Sequence, residues 1–335
     1  MNKIRIAIDA MGGDLGPQVV VEAAVAALEE KNNLFLTIFG EEVQIQAALN
    51  GKSYDQERLQ IVATTEVVSN DESPTGAIRA KKDSSLVRAL YFAKEGKADA
   101  FVSAGSTGGI LTGGTLILGR IKGIKRPALA TFFPTRKEPI LILDIGANVD
   151  SKPEYLHQFA ILGKAYYNGT FPKTNIRVGL INNGAEAHKG SALTKAAYEL
   201  LAADKNLGFV GNIEPREIHS GNYDVAVCDG FTGNMILKYA EGLSSMIFSE
   251  TKAAIMSNAL SKLGGLFIKK SLKQMAGKFD YKKYGGAPLL GLETLVVKAH
   301  GSSDALAFKN AIYQCSRFLE ADITGEIKRM LADAE

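Results

Sequence analysis

The chain of 335 residues contains only two cysteines, Cys228 and Cys315, and no tryptophan. The cysteines lie far apart without a C-x-x-C pair, which indicates a reducing compartment and argues against a disulfide framework. The formal charge of +3 is too small to indicate a nucleic-acid partner. Apolar runs are short, and the first residues lead directly into a strand pattern, so we expect neither a membrane span nor a signal peptide. These absences predict a cytoplasmic globular protein.

Familiar cofactor motifs are missing as well. Gln46 stands where a phosphate-binding loop ending in Gly51-Lys52-Ser53 needs its first glycine. The first predicted strand is not followed by G-x-G-x-x-G, the glycine pattern of dinucleotide-binding folds. The four histidines lack the spacing of a metal site. We therefore expect no metal and no other cofactor.

Strand-like runs alternate with helical patterns along most of the chain. This alternation predicts a mostly parallel, doubly wound sheet with helices on both faces, a three-layer α/β/α fold. We expect one α/β unit over residues 1–335, either undivided or with two lobes around one cleft, and an inserted, lysine-rich helical pair over 242–286. The predicted strands are Ile4–Asp9, Leu34–Phe39, Leu59–Thr64, Ala98–Ser103, Ala128–Phe133, Ile140–Leu143, Ile176–Ile181, Asp224–Val227 and Leu292–Lys298.

Six polar clusters each follow directly after a predicted strand. In open parallel sheets, ligands bind at the carboxyl ends of the strands. We therefore expect all six clusters to meet at one edge of the sheet and to line one cleft. They are Asp9–Asp14, Ser103–Gly109, Asp144–Asn148, Asn182–Gly190, Asp229–Asn234 and Lys298–Ser303.

The first two clusters offer backbone N–H groups to an anion. Gly12 and Gly13 form a turn without side chains before a predicted helix that begins near Pro17, a geometry suited to an anion. The second cluster places small residues and hydroxyls before another helix, either as an anion cradle or as a tight turn for close packing. The candidate anion-binding residues are Asp9, Gly12, Gly13, Asp14, Ser103, Gly105, Ser106 and Thr107.

The later clusters contain the cationic and titratable candidates. Lys189 either neutralises a phosphate or a developing oxyanion, or is a solvated lysine paired with Glu186. His300 is the histidine nearest to plausible chemistry, with a structural role as the alternative. Lys81 belongs to the segment 73–85, which is either a lid that brings charge to the cleft or an exposed connection.

The remaining candidates include structural alternatives. Asn148 is a turn cap or a substrate ligand, and Asp144 needs a hydrogen-bond partner if it is buried. Asp229 and Asn234 flank a glycine-containing turn in which Thr232 is the predicted helix cap. Cys228 is expected to point into the core and to be inert.

Together and in this order, the motifs resemble the PlsX family of phosphate acyltransferases over nearly the whole chain. The motifs that carry the resemblance are Ile8-Asp-Ala-Met-Gly-Gly-Asp14, Ser103-Ala-Gly, Asp144-Ile-Gly-Ala-Asn148, Lys189-Gly190, Gly211-Asn-Ile-Glu214, Val227-Cys-Asp-Gly-Phe-Thr-Gly-Asn234, Gly285-Gly-Ala-Pro-Leu-Leu-Gly291 and Val297-Lys-Ala-His-Gly-Ser-Ser303. The resemblance implies an enzyme that transfers a fatty acyl group from acyl carrier protein to inorganic phosphate, giving acyl phosphate for phospholipid synthesis. It also implies a homodimer with a fold related to phosphotransacetylases and to isocitrate and isopropylmalate dehydrogenases.

Two alternatives stay open: a non-catalytic regulatory module that binds phosphate or a nucleotide, and a decarboxylating dehydrogenase on the same fold. For the acyl transfer, phosphate is already a nucleophile, so positioning and charge stabilisation are the main requirements. We expect the glycine turns to hold phosphate, the aspartates to orient cations and hydroxyls, and His300 to protonate the departing thiolate. The predicted catalytic residues are Lys189, Asp229 and His300, and Lys81, Asn148 and Asn234 complete the predicted substrate site.

The lysine-rich pair has three interpretations: contact with an anionic membrane surface, docking of the acidic carrier protein, or a dimer contact. We favour peripheral contact with the inner face of the plasma membrane, where each lysine contributes roughly 1 kcal/mol. The membrane acyltransferase that uses acyl phosphate is then a further expected partner. One helical face carries Met256, Leu260, Leu263 and Phe267, with a predicted break at Gly264-Gly265. The membrane-contact residues are Leu260, Leu263, Leu266, Phe267, Lys269 and Lys270.

Overall fold

The strands that the structure describes form one eleven-stranded sheet. The computed structural model describes residues 3–69, 71–278 and 285–333. The strands are β1 Ile4–Asp9, β2 Leu34–Gly40, β3 Leu59–Ala63, β4 Ala100–Ser103, β5 Ala128–Phe133, β6 Ile140–Leu143, β7 Val178–Ile181, β8 Phe209–Ile213, β9 Val225–Val227, β10 Ala287–Leu290 and β11 Leu295–Lys298. Their order across the sheet is β3-β2-β1-β4-β11-β10-β5-β6-β9-β7-β8.

Helices connect most of the strands, as the alternation predicts. A π-helical turn, Gly114–Leu118, continues α5, and a short 3-10 helix covers Pro215–Ser220. The α-helices are α1 Gly16–Glu30, α2 Glu42–Leu49, α3 Pro74–Ala80, α4 Ser85–Lys94, α5 Thr107–Gly113, α6 Pro153–Thr170, α7 Ala192–Ala203, α8 Gly230–Met256, α9 Ala259–Lys278, α10 Ala305–Glu320 and α11 Ile323–Ala332.

The sheet is mostly parallel, but it reverses direction in its middle. The antiparallel pairs are β11 with β10, β10 with β5, and β5 with β6, and the other neighbouring pairs are parallel. Because three reversals separate β11 from β6, the strands β6, β9, β7 and β8 run opposite to β1, β2, β3, β4 and β11. The predicted fold class is confirmed, and the sheet has two halves of opposite direction.

Two clusters of buried apolar residues cover the two faces of the sheet. In β1, Ile6 and Ile8 belong to the first cluster, whereas Ala7 belongs to the second. The first cluster also takes in residues of α1, α2, α6, α7, α10 and α11, and the second takes in residues of α3, α4 and α5 together with the first turns of α8. Strict alternation of this kind is what a sheet with helices on both faces requires.

The inserted pair differs in its boundaries from the prediction. Its first helix, α8, begins at Gly230 rather than at 242, and α9 continues through Gly264-Gly265, where a break was predicted. The interruption lies at Ser257 and Asn258 instead, so Met256 ends one helix while Leu260, Leu263 and Phe267 belong to the next. The part of this segment at 279–284 lies outside the described residues.

The two helices of the pair pack against each other and expose apolar side chains. A Cβ on Gly265 would lie 2.4 Å from the Ile255 side chain, so the two helices are in close contact there. Leu260 is 80% exposed and Phe267 is 83% exposed, although large apolar side chains are usually buried. Leu263, Leu266, Lys269 and Lys270 are exposed as well.

A buried carboxylate ties β9 to the segment before β7. Asp224, which is 1% exposed, accepts hydrogen bonds from the Arg177 backbone N–H at 2.8 Å and from Arg177 Nε at 3.0 Å. Its other oxygen accepts from Arg177 Nη2 and Lys173 Nζ, each at 2.9 Å. Burial raises the pKa of Asp224, but the bonds from Arg177 and Lys173 outweigh it and lower the pKa to about 2.

Candidate active site

The carboxyl ends of β1, β4 and β11 lie side by side and bring three of the predicted clusters together. Asp9, Ser103 and Lys298 are register partners on these neighbouring strands. The Ser103 hydroxyl donates to Asp9 Oδ2 at 2.7 Å and accepts from the Gly105 N–H at 2.9 Å. We call residues 9–14, 103–109 and 298–303 the first strand-end group.

Glycines let the loops of the first strand-end group touch. A Cβ on Gly12 would lie 2.7 Å from Gly105 N and 2.8 Å from Gly105 Cα, distances that no side chain tolerates. A Cβ on Gly13 would lie 3.2 Å from Ala104 Cβ, and the Asp14 N–H donates to Gly301 O at 2.9 Å. The structure therefore joins the predicted anion-binding turns into one site with little side-chain bulk.

Asp9 holds this junction in place. It is 1% exposed, and it accepts hydrogen bonds from Met11 N and Ser103 Oγ, with further bonds from Gly12 N and the Ser85 hydroxyl. Burial raises the pKa of Asp9, and these four bonds oppose that rise. Its oxygens are therefore engaged in orienting the two loops and the Ser103 hydroxyl.

The other candidates of the first group lie at its rim. Ser106 caps α5, its Oγ accepting from Gly109 N at 3.0 Å, and Thr107 is the first residue of that helix. Asp14 is exposed. His300 is exposed too, and its Nδ1 accepts from Ser302 N at 3.2 Å.

A second strand-end group comprises residues 144–148, 182–190 and 228–234, which follow β6, β7 and β9. At its centre lies Asp144, which is 0% exposed. Its carboxylate accepts from the backbone N–H groups of Leu129, Gly146, Ala147 and Asn148 and from Asn148 Nδ2. Burial raises the pKa of Asp144, and these bonds oppose that rise. The partner that sequence reasoning required for a buried Asp144 is thus the loop that follows it.

Asn148 and Asn234 are bound to this loop. Asn148 Nδ2 donates to Pro127 O at 2.8 Å and to Asp144 Oδ2 at 2.9 Å, so its amide group is used within the protein. Asn234 Nδ2 donates to Ile145 O at 3.2 Å. Of the two interpretations of Asn148, its bonds favour the structural one.

Asp229, and not Thr232, is the cap of α8. Asp229 Oδ1 accepts from Thr232 N at 2.9 Å, and Oδ2 accepts from the Thr232 hydroxyl at 2.8 Å. Gly233 lies against Asp144 O so closely that a Cβ there would be 1.9 Å away. The neighbouring Cys228 is buried, and burial raises the pKa of its thiol well above the usual value. Its predicted core position is confirmed.

Lys189 lies on the exposed loop between β7 and α7. Asn182, buried at the end of β7, donates from Nδ2 to Lys189 O at 3.0 Å and so fixes the backbone of the loop. Gly190 follows with a φ of +103°, and a Cβ there would lie 2.1 Å from Thr194 Oγ1. The side chain of Lys189 is exposed.

Lys81 is engaged within its own segment. Its Nζ donates to Val67 O and to Glu72 Oε2, each at 2.7 Å. Ser84 caps α4 by accepting from Val87 N. Lys81 is thus used within its own segment, whereas Ser85 at the end of the segment is buried and bonds to Asp9.

The prediction that all six clusters meet at one edge of the sheet is wrong. The two halves of the sheet run in opposite directions. The carboxyl ends of the strands before the first strand-end group therefore point away from those before the second. Both groups nevertheless border the second apolar cluster, which includes Ile110 of α5, Ile145 and Cys228. They therefore lie on the same face of the sheet.

Sequence reasoning missed Lys298 and Ser85 as single residues. Lys298 is the last residue of β11 and reads as part of a strand, and Ser85 is the first residue of α4. A signal existed for Lys298, since a lysine ends an otherwise apolar run directly before Ala299-His300-Gly301. Within residues 3–69, 71–278 and 285–333, no group of three or more His, Cys, Asp or Glu residues could hold a metal ion.

Comparisons with known proteins agree with this arrangement. A family model described as fatty acid synthesis protein matches residues 4–325. A phosphate acyltransferase of Clostridium perfringens (strain SM101 / Type A) is 50% identical over 324 residues, which cover 97% of this chain and 96% of that protein. A phosphate acyltransferase of Clostridium tetani (strain Massachusetts / E88) is 48% identical over 332 residues, covering 99% of both chains.

Solved structures share the fold at low identity. A phosphotransacetylase from Streptococcus pyogenes has a TM-score of 0.62 and 18% identity, covering 95% of this chain and 94% of its own. The EutD phosphotransacetylase from Staphylococcus aureus has a TM-score of 0.59 and 15% identity, covering 94% of both chains. These structures support the α/β architecture alone.

The fold, the strand-end groups and the relatives define this chain as an acyltransferase. It belongs to the fatty acid synthesis protein family, and its resemblance to the PlsX phosphate acyltransferases is confirmed.

Proposed function

We propose that this acyltransferase moves a fatty acyl group from acyl carrier protein to inorganic phosphate and releases acyl phosphate. The observation that carries the proposal is the contact between Gly12 and Gly105, where the loops after β1 and β4 meet without side-chain bulk beside Ser103 and the buried Asp9. Gly12 N and Gly105 N are used by Asp9 and Ser103, so a small tetrahedral anion would be held by other N–H groups of these loops, which it can approach without interference from side chains.

The reaction then needs no protein nucleophile. A phosphate oxygen attacks the thioester carbonyl, the C–S bond breaks, and the leaving thiolate takes a proton from the imidazolium form of His300, which becomes neutral. The buried thiols of Cys228 and Cys315, both with raised pKa values, are unsuited to forming an acyl-enzyme. Catalysis would rest on position and on stabilisation of the tetrahedral intermediate.

We further propose that the two strand-end groups line one groove. Neighbouring strands twist by about 20–25° each, so five steps from β1 to β6 turn the strand direction by roughly 100°. Because β6 also runs opposite to β1, this turn brings the carboxyl ends of the two halves toward the same side. Phosphate would bind at the first group, and Lys189 of the second would stabilise the oxyanion.

The activity test uses the purified chain, an acyl-acyl carrier protein thioester and inorganic phosphate, with hydroxylamine to trap acyl phosphate as hydroxamate. Omission of phosphate should abolish the signal. Lys189→Ala should lower kcat about a hundredfold, which is the typical loss when one stabiliser of a developing charge is removed. The exposed Lys195 on the following helix is the matched control, and Lys195→Ala should retain the parent rate. Near-parent turnover in Lys189→Ala would show that Lys189 has no catalytic role.

We propose in addition that the α8–α9 pair contacts an anionic membrane surface, at the inner face of the plasma membrane where the acyltransferase that uses acyl phosphate would lie. No helix among the described residues is both long and apolar enough to cross a bilayer, so the contact would be peripheral. The sequence of α9 contains lysines and no acidic residue, and Leu260, Leu263, Leu266 and Phe267 are exposed beside them. Exposed apolar residues flanked by lysines are typical of interfacial helices.

Flotation with anionic liposomes, without carrier protein, checks the membrane contact. We expect the parent chain to float and Leu263→Glu/Phe267→Glu to stay in the protein fraction, because two new charges oppose both insertion and attraction to headgroups. Val43→Glu/Leu200→Glu, at exposed apolar positions of α2 and α7, is the control and should float. Equal flotation of the parent and the α9 variant would contradict the membrane contact. Docking of the carrier protein or a dimer contact would then be the remaining role of the exposed apolar residues.

A further inference from the structure

Within the part of the chain that the structure describes, Lys298 forms no ion pair in the first strand-end group. The residue is half-buried, and its Nζ donates to Ala299 O at 3.2 Å. Among residues 3–69, 71–278 and 285–333, no carboxylate forms an ion pair with it. An ammonium group in this position has lost much of its hydration without gaining an ionic partner, an arrangement that is unfavourable until an anion arrives.

The strand register places Lys298 in line with Asp9 and Ser103. Lys298 pairs with Ser103, and Ser103 pairs with Asp9, on adjacent parallel strands. In β11, Val297 belongs to the first apolar cluster and Val296 to the second. Alternation therefore directs Lys298 to the face of the second cluster. Ile8 and Val102, both in the first cluster, place Asp9 and Ser103 on that same face.

The neighbouring acids do not neutralise Lys298. The Asp9 carboxylate is taken up by Ser103, Ser85 and the backbone of its own loop. Asp14 favours the charged lysine at longer range, while burial lowers the lysine pKa. The three register partners Asp9, Ser103 and Lys298 thus include one positive group, which lies next to the strand-end loops that Gly12 and Gly105 bring into contact.

We propose that Lys298 binds the inorganic phosphate of the reaction, with Nζ on a non-bridging phosphate oxygen. The assignment deepens the proposed function, since it rests on phosphate being the acyl acceptor at this site. A lysine binds phosphate through a compact ammonium charge and does not fix two phosphate oxygens at once, as the planar guanidinium of an arginine does. The bound ion can therefore turn one of its other oxygens toward the thioester while its charge stays compensated. Lys189, on an exposed loop of the second group, would act on the acyl carbonyl instead.

The experiment measures binding of inorganic phosphate alone by isothermal titration calorimetry, then turnover. Lys298→Met should weaken phosphate binding about tenfold to a hundredfold, the usual range for losing a hydrogen bond to a charged group. Lys298→Arg keeps the charge and should recover most of the affinity. Lys122→Met, an exposed lysine in the loop before β5, should match the parent. In turnover, KM for phosphate should rise by the same factor in Lys298→Met, with KM for the acyl donor nearly constant.

Equal phosphate affinity in Lys298→Met and the parent overturns the assignment, as does an equal loss in Lys298→Met and Lys298→Arg. If Lys298→Met does not fold by circular dichroism, Lys298→Gln takes its place with the same outcomes. Binding does not depend on the acyl donor, so the two proposals can fail separately. A parent chain that binds phosphate through Lys298 but makes no hydroxamate would refute the proposed function and leave the phosphate site intact.

Discussion

Gly12→Ala is expected to lower turnover of phosphate about a thousandfold while the chain stays folded. The new Cβ would meet Gly105 N at 2.7 Å, Gly105 Cα at 2.8 Å and Asp9 Oδ2 at 2.7 Å. Two of these atoms are backbone, so the loops after β1 and β4 must separate. The Asp9 carboxylate and the Ser103 hydroxyl that join these loops would then move, and errors of about 1 Å at a reacting centre typically cost a hundredfold or more.

Hydroxamate trapping gives the rate, and the unfolding temperature separates a catalytic effect from loss of fold. Gly76→Ala in α3 is the matched control, since its Cβ would meet only Ser73 at an ordinary 3.7 Å. It should keep the parent rate. Full activity in Gly12→Ala would mean that the contact between the two loops does not serve the reaction.

Asp224→Asn is expected to lower the free energy of unfolding by about 3 kcal/mol at neutral pH, which is the usual cost of breaking a buried ion pair from one side. Asn keeps the shape of the side chain, but it removes the buried negative partner of Arg177 and leaves Lys173 paired with Glu138 at 3.7 Å. Urea unfolding measures the difference. The exposed Asp150→Asn is the control and should change stability by less than about 0.5 kcal/mol.

The same variant has a defined pH dependence. The folded pKa of Asp224 is about 2, below the ordinary 3.8, so the carboxylate stabilises the fold fully above the unfolded value. That contribution is lost as pH falls from 3.8 through the folded value. The stability difference between the parent and Asp224→Asn should therefore shrink over this interval. A difference that stays constant down to the folded pKa would contradict the role given to the ion pair.

Local patterns were sufficient for most elements of the fold. α4 and α7 each follow a capping serine, Ser84 and Ser191, and carry a clear apolar period, which are the two local signals that define a helix. β8 and β10 were missed, since Gly211 interrupts the first and Pro288 lies inside the second. β10 is antiparallel to both of its neighbours, so the net change of direction comes from the antiparallel pairing of β5 with β6. Strand direction depends on tertiary pairing, which local periodicity does not encode.

Part of the candidate site, too, could be predicted from the sequence, and part of it could not. Glycines and acids at strand ends were predictable by type, and the structure joins Gly12, Gly105 and Asp9. Sequence spacing could not distinguish a ligand from a structural group at Asn148 or Asp229, because that depends on which N–H groups each oxygen meets. Lys298 needed the register of β11 against β4 before its position beside Ser103 became visible.

The length of α8 connects the two regions to which a function is assigned here. The helix starts at the Asp229 cap, with Gly230 and Gly233 wedged against the loop after β6, and runs for 27 residues to the exposed end of the hairpin. At 1.5 Å per residue it is about 40 Å long. A lipid leaflet or another protein that binds its far end would be connected to the Asp144 loop by a single helix of that length. The exposed end of the hairpin and the loop that holds Asp144 are thereby joined by one continuous helix.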